Sequence, residues 1–200
     1  MLHLVRHGES TANEAGILAG RIDVELTPRG RQQAQAAGAL LGKVRELRSS
    51  SLGRAIATAG LLLPGEVLEV DDRFIELDYG HYDGWVMTEI PREFWKSWRT
   101  DTTFRPEGGE SLADLRTRVA GALEELFAED GAGARSHDGD VVIVSHVSPI
   151  KAAVAWTLGV DDEVVWRMHL SNASVTSIGW GPSGPVLHTF NGLPLGGRND

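Results

Sequence analysis

The chain has 200 residues, 42% of them hydrophobic and 24% charged, with a formal net charge of −9 and no cysteine. That balance excludes a general nucleic-acid binder, which needs accumulated Lys and Arg, and the lack of thiols excludes a disulfide framework and a thiolate metal site. No apolar run approaches bilayer length and no signal-peptide pattern is present, so we expect one cytoplasmic α/β domain over residues 1–200 with no membrane role.

The first element is an apolar run, Leu2, Leu4 and Val5, that stops at Arg6-His7-Gly8-Glu9-Ser10. It predicts a buried parallel strand, and in open α/β sheets ligands gather beyond the carboxyl ends of such strands. Arg6 offers a permanent cation whose planar fork grips phosphate, and His7 a nucleophile or acid-base group near neutral pH. Taken alone, the pair is equally consistent with a capped strand end and a solvated Arg-His. A loop holding Asn13, Gly16, Gly20, Arg21 and Asp23 follows, and Thr27-Pro28 then opens a helix with Thr27 as N-cap and Ala34, Ala37, Leu41 and Val44 on one face. A second strand is predicted over 46–50, leading through Ser51-Leu52-Gly53-Arg54 into a small-residue helix that ends near Leu63-Pro64.

Residues 67–70 alternate as a third strand, while 74–85, rich in Asp, Gly and aromatics, read as a loop of the kind that builds sites. Between 85 and 109 an insert with Arg92, Trp95, Lys96, Trp98, Arg99 and Arg105 breaks the strand-helix rhythm and predicts a lid. Residues 111–114 form a capping box for a strong helix, with Leu112, Leu115, Val119, Leu123 and Leu126 along its buried stripe. A Gly-rich surface loop is expected over 130–139. The apolar run Val141-Val142-Ile143-Val144 then enters Ser145-His146 as a buried strand, and Pro149 starts another helix. Strands over 174–180 and 186–190 close the chain, and a loose tail is expected from Gly192. The pattern predicts an α/β three-layer sandwich: a mostly parallel central sheet flanked by helices, with a small insert forming a lid.

Arg6-His7, Arg54 and His146 thus stand at three strand ends, and parallel strands in one sheet bring them to one rim. Two arginines and a second histidine can surround three phosphoryl oxygens while the first imidazole attacks phosphorus in line with the leaving oxygen. Amides at the helix starts after Gly8 and His146 are expected to support the same anion. An alcohol leaving group needs a proton, and Glu76, Asp78 and Asp83 are the carboxyl candidates in the right loop. Their spacing does not choose among them.

The blocks carrying these residues have a recognisable order. They are Arg6-His7-Gly8-Glu9 continued by Ser10-Thr11-Ala12-Asn13; Gly20-Arg21-Ile22-Asp23 with Leu26-Thr27-Pro28-Arg29-Gly30; and Ser50-Ser51-Leu52-Gly53-Arg54-Ala55 with Thr58-Ala59. Phe74-Ile75-Glu76-Leu77-Asp78-Tyr79-Gly80 closing at Asp83-Gly84, then Gly109-Glu110-Ser111-Leu112 and Val144-Ser145-His146, complete the series. Together they resemble the histidine phosphatase superfamily, the phosphoglycerate mutase-like proteins, in its phosphatase branch. The resemblance implies His7 as the nucleophile that becomes a phosphohistidine and Glu76 as the proton donor. It implies Arg6, Arg54 and His146 as binders of the phosphoryl group, with Asn13 assisting at the rim, and no metal or organic cofactor. Where the family often has paired glycines after the second histidine, this chain has Val147-Ser148-Pro149, which makes Ser148 a candidate hydrogen-bonding partner of the phosphate.

Arg21 is read either as a binder at the phosphate rim or as an ion-pair partner of Asp23. His3, His81, His137, His169 and His188 lack metal-ligand spacing and read as structural or surface residues. The insert's tryptophans pack the lid in the commoner reading, and Lys96, Arg99 and Arg105 are placed to meet a second acidic group. The implied activity is metal-independent hydrolysis of a small phosphomonoester in two in-line displacements, with a homodimer through an exposed strand edge as a compatible assembly. Two other readings stand beside it. In a mutase the phosphoryl group returns to another hydroxyl, which the short insert disfavours because water can enter; an inactive binding module is disfavoured because every matched position is occupied.

Overall fold

The structure is a computed structural model that describes residues 1–131 and 138–194. The middle of the expected 130–139 loop, with His137, and the tail from 195 lie outside the described residues.

In chain order the elements are β1 (Leu2–Arg6), α1 (Thr11–Ala15), α2 (Pro28–Ala37), β2 (Val44–Ser49), α3 (Gly53–Leu62), β3 (Leu68–Val70) and α4 (Arg92–Thr100). They continue as α5 (Leu112–Gly131), β4 (Asp140–Ser145), α6 (Val147–Leu158), β5 (Val175–Gly181) and β6 (Gly184–Gly192). The six strands form one sheet of order β3-β2-β4-β1-β5-β6. The first four are parallel, as expected; β5 and β6 are antiparallel and make the sheet mixed. The tight turn between β5 and β6 sets β6 antiparallel to β5, while β5 itself runs antiparallel to β1.

Alternation along the strands divides the interior in two. Leu2, Leu4, Val141, Ile143 and Ile178 pack with α5 and α6, while Val5, Leu47, Val142, Val144 and Val175 pack with Ala37, Ala55, Ala59 and Leu62 of α2 and α3. Helices therefore cover both faces of the sheet, giving the expected α/β architecture. The 85–109 insert is anchored in the larger core by Ile90, Phe94 and Trp98. Among the described residues no helix is long and apolar enough to cross a membrane.

Several boundaries differ from expectation. The helix opened by Thr27 stops at Ala37 and tightens into a 3₁₀ turn over Gly38–Leu40, so Leu41 and Val44 do not extend its buried face; Val44 begins β2. Asn13 sits in a short helix rather than a loop, held by a capping box in which Ser10 and Asn13 exchange side-chain and backbone bonds. The last helix starts at Val147, directly after His146, with Pro149 in its first turn. The capping box of α5 does form, Asp114 accepting from Ser111 and giving its amide back to the Ser111 hydroxyl.

Candidate active site

The pairing of β1 with β4 builds the centre of the site. Arg6 stands opposite Ser145, and the His7 amide donates to the Ser145 carbonyl at 3.0 Å, so His7 and His146 leave adjacent strand ends side by side. Their rings lie 5.1 Å apart, tilted by 57°. Turning sharply after His7 requires glycine: a Cβ on Gly8 would fall 2.2 Å from the Gly30 carbonyl oxygen, and one on Gly30 would fall 2.0 Å from that of Glu9.

His7 is buried and its Nδ1 lies 2.7 Å from the Gly8 carbonyl oxygen. A carbonyl only accepts, so Nδ1 carries the proton and Nε2 keeps its lone pair. Burial, reinforced by the charges of Arg6 and Arg54, holds the His7 pKa well below the ordinary histidine value, so the imidazole is neutral at pH 7. His146 is buried and similarly depressed, first by burial and then by His7, Arg54, Arg6 and Arg21. Its Nε2 meets the Ser50 hydroxyl at 2.7 Å, from the end of β2, while its Nδ1 has no partner.

Two guanidinium groups face this pair. Arg6 donates through Nη1 to the Leu170 carbonyl at 2.6 Å, and burial lowers its pKa to about 10 against the opposing pull of Glu76. Arg54, in the first turn of α3, donates to the carbonyls of Ile22, Ala19 and Gly20 at 2.9, 3.2 and 2.8 Å. Among the described residues, the buried side-chain nitrogens without a hydrogen-bond partner belong to Arg6, Arg21, Arg54, His146 and Trp166. Native interiors rarely leave such groups unpaired, and the charges of three of them, Arg6, Arg21 and Arg54, all act on His146, an arrangement suited to an anion; Trp166 lies apart, against Trp98. Arg21 lies near carboxylates, but they are Asp78 at 4.0 Å and Glu110 at 3.7 Å rather than Asp23. Its charge also acts on His146, which puts it on the rim of the cluster.

The three candidate carboxyls separate clearly. Asp83 accepts from the amides of Gly20, Arg21 and Ile22 at 2.7, 2.7 and 3.0 Å, and Asp78 accepts from the Gly80 amide; both are committed to loop geometry. Glu76 is buried and reaches α6: Oε1 accepts from Leu77 and Ser148, and Oε2 from Val147 at 3.1 Å. Its charge acts on Arg6, Arg54, Tyr79 and Lys151. Ser145, by donating to the Phe74 carbonyl, and Arg118, by donating to those of Arg73 and Glu76, tie this segment down.

These bonds correct the expected role of the backbone. The amides after Gly8 and His146 are already engaged: Gly8 with Thr58 Oγ1, Glu9 with Gln33, Ser10 with Asn13, and Val147 and Ser148 with Glu76. Side chains, not helix-start amides, present the unpaired donors. Asn13 accepts through Oδ1 from Ser10 and Asn172, which leaves its amide NH₂ as the donor end. Ser148 lies in the first turn of α6, its hydroxyl 3.5 Å from that of Tyr79.

Three of the histidines set aside from the site have partners of their own. His3 bonds Ser177 and Asp140, His81 packs on Tyr82 and Trp85, and His169 contacts Ser171. Among the described residues no group of three or more His, Cys, Asp or Glu side chains is arranged to hold a metal ion. Arg105 pairs with Asp114, whereas Arg92, Lys96 and Arg99 line an outer groove of about 740 Å³ with Trp95. Sequence reasoning missed Lys151 and Tyr79. Burial raises the Tyr79 pKa, aided by Glu76, so it remains a phenol; a lysine one turn into α6 carries no motif, and only its fifth place after His146 hinted at it.

The histidine phosphatase superfamily (branch 1) profile matches residues 2–192. A putative phosphoserine phosphatase 2 of Hydrogenobacter thermophilus is 35% identical over 185 residues, 88% of each chain. A glucosyl-3-phosphoglycerate phosphatase of Mycobacterium tuberculosis is 37% identical over 163 residues, covering 77% of this chain and 73% of the relative. The solved structure of mycobacterial glucosyl-3-phosphoglycerate phosphatase Rv2419c with VO3 superposes with a TM-score of 0.83 at 32% identity, over 96% of this chain and 98% of that one.

Proposed function

The chain belongs to the histidine phosphatase superfamily, and from that membership we propose that it is a metal-independent phosphomonoester hydrolase acting on a small phosphorylated metabolite through a phosphohistidine at His7. The observation that carries this reading is the neutral, buried His7 with a free Nε2, faced by the unpaired nitrogens of Arg6, Arg54 and His146. In the first displacement Nε2 bonds phosphorus as the ester P–O bond breaks, and Glu76 gives its proton to the departing alcohol oxygen. In the second, water attacks the phosphohistidine, Glu76 takes the water proton, and inorganic phosphate leaves with His7 neutral again. Arg6, Arg54 and His146 stabilise the equatorial oxygens throughout, with Asn13, Arg21 and Ser148 at the rim. Oε2 of Glu76, which accepts from Val147 alone, is the oxygen with room for the proton.

The relatives named as phosphatases of phosphoserine and of glucosyl-3-phosphoglycerate support hydrolysis over a mutase reaction. The substrates in those names share a carboxylate close to the phosphoester. In this reading the 85–109 insert is the lid, the protein is cytoplasmic, and a homodimer would form through an edge strand, β3 or β6. The test is His7→Ala: turnover of p-nitrophenyl phosphate and the acid-labile, base-stable phosphoryl label should both vanish, and survival of either overturns the assignment. With 3-phosphoglycerate, inorganic phosphate should appear; the 2-isomer instead would make the protein a mutase.

A further inference from the structure

Ser50, the residue after β2, takes part in none of the steps above, yet it is buried against His146 with its hydroxyl 2.7 Å from Nε2. Its backbone is held from two sides. The Ser50 amide donates to the Val144 carbonyl of β4 at 3.2 Å, and the Ser50 carbonyl accepts from the Ser49 hydroxyl at 2.8 Å. The sheet itself thus carries this hydroxyl to the ring. Among the described residues the Ser50 hydroxyl meets only His146.

That contact can run in either direction, and the balance of buried groups decides which. Burial and three guanidinium charges keep the His146 ring neutral, so it has one N–H and one lone pair, while a hydroxyl has a single hydrogen to give. If Nε2–H donated to Ser50, the Ser50 hydrogen and a bare Nδ1 would both be buried without partners. If Ser50 donates to Nε2, only the Nδ1–H is left over. Buried polar groups without partners are costly, so the second arrangement wins. We infer that Ser50 is a positioning residue that donates to Nε2 of His146, holds the ring proton on Nδ1 and so makes His146 a fixed N–H donor to a phosphoryl oxygen. His7 also carries its proton on Nδ1, but there Nδ1 is the bonded nitrogen. One tautomer thus serves opposite ends: the free nitrogen of His7 keeps a lone pair for phosphorus, and that of His146 keeps a hydrogen for oxygen. A bare Nδ1 on His146 would turn a lone pair on the oxyanion instead.

The use of that N–H rests on the phosphatase reading, whereas the tautomer is measured without turnover, so the two fail separately. In ¹⁵N NMR of histidine-labelled wild type at pH 7.5, with the His146 signals identified by their loss in His146→Gln, Nδ1 should appear as a protonated, pyrrole-type nitrogen. Nε2 should appear as a bare, pyridine-type one. In Ser50→Ala the proton should move at least in part to Nε2. The inhibition constant for vanadate should then rise about tenfold or more, and kcat for p-nitrophenyl phosphate should fall by about 10- to 100-fold. Ser50→Thr, which keeps the hydroxyl, should hold the wild-type tautomer and recover most of the activity. Ser49→Ala removes the neighbouring buried hydroxyl and should leave the His146 tautomer as it is, which separates loss of the donor from loosening of the strand end. A protonated Nε2 in wild type, an unchanged tautomer in Ser50→Ala, or the same change in Ser49→Ala would overturn the role of Ser50 and leave the phosphatase intact. A wild type inactive on every ester, with Nε2 still bare, would overturn the phosphatase reading and leave the hold of Ser50 on the ring.

Discussion

Asp83 and Arg54 make no direct ion pair, yet one loop joins them. The Asp83 carboxylate holds the amides of Gly20, Arg21 and Ile22, and the carbonyls of Ala19, Gly20 and Ile22 hold the Arg54 guanidinium. The same peptide units are thus gripped from both sides, and the Asp83 charge also favours the protonated Arg54. Asp83→Ala should cost about 2–4 kcal/mol of stability, because three amides lose a charged acceptor. Freed of its template, Arg54 should bind anions less well, and the inhibition constant for vanadate should rise at least about tenfold. Thermal unfolding and vanadate titration of one variant check both; a stable variant with unchanged vanadate affinity would show that the loop does not position Arg54.

Glu76 is expected to matter in proportion to the need for a proton. Positioned acids contribute about 10²- to 10⁴-fold, so Glu76→Gln should lose that much kcat on glycerol 2-phosphate, whose alkoxide is a poor leaving group. p-Nitrophenolate leaves without help, and turnover of its phosphate should fall far less in the first step. A pre-steady-state burst of p-nitrophenol would then reveal slow hydrolysis of the phosphohistidine, since the same carboxylate serves water. Equal loss on both esters in single-turnover experiments would remove Glu76 from the acid role.

Much of this arrangement was legible because strand ends are a one-dimensional signal with a three-dimensional consequence. Once Leu2–Val5 and Val141–Val144 are taken as parallel neighbours, His7 and His146 must meet, and Arg54 follows from the strand between 46 and 50. The direction of β5 against β1 was not legible, since alternation marks a strand without orienting it. Nor could spacing tell Glu76 from Asp78 and Asp83: that choice depends on which carboxyl reaches the first turn of α6, a contact 71 residues away in sequence. The five-residue α1 is too short to show a helical period, and Lys151 looks like any amphipathic helix lysine until the cavity beside it is seen.

Gly8 and Gly30 cross at backbone contact, and neither tolerates a side chain. Gly30→Ala should destabilise the protein by about 1–3 kcal/mol, because the methyl group collides with main chain rather than with a movable side chain. Since the displaced segment carries His7, activity should fall further than stability does at a temperature where the variant is still folded. Gly60→Ala, with nothing within 4 Å of the new Cβ and no positive φ, is the matched control and should be neutral or slightly stabilising. Loss of activity in both variants alike would show that the crossing has no special role.

Acid should unfold this protein partly through its two central histidines. His7 and His146 both have native pKa values held well below the ordinary histidine range, burial being the largest cause, whereas in the unfolded chain both return to about 6.5. Above that value both states are neutral and pH has no leverage through these groups. Below it the unfolded chain takes up protons that the native state refuses, so stability falls as pH drops, by up to about 1.4 kcal/mol per pH unit for each histidine. The decline continues until the native pKa values are reached. In urea titrations between pH 7.5 and 5.0, a His7→Gln, His146→Gln double variant, which cannot take up those protons, should lose stability less steeply than wild type. Parallel slopes would mean that the native site already accepts the protons, and the neutral nucleophile on which the chemistry depends would have to be abandoned.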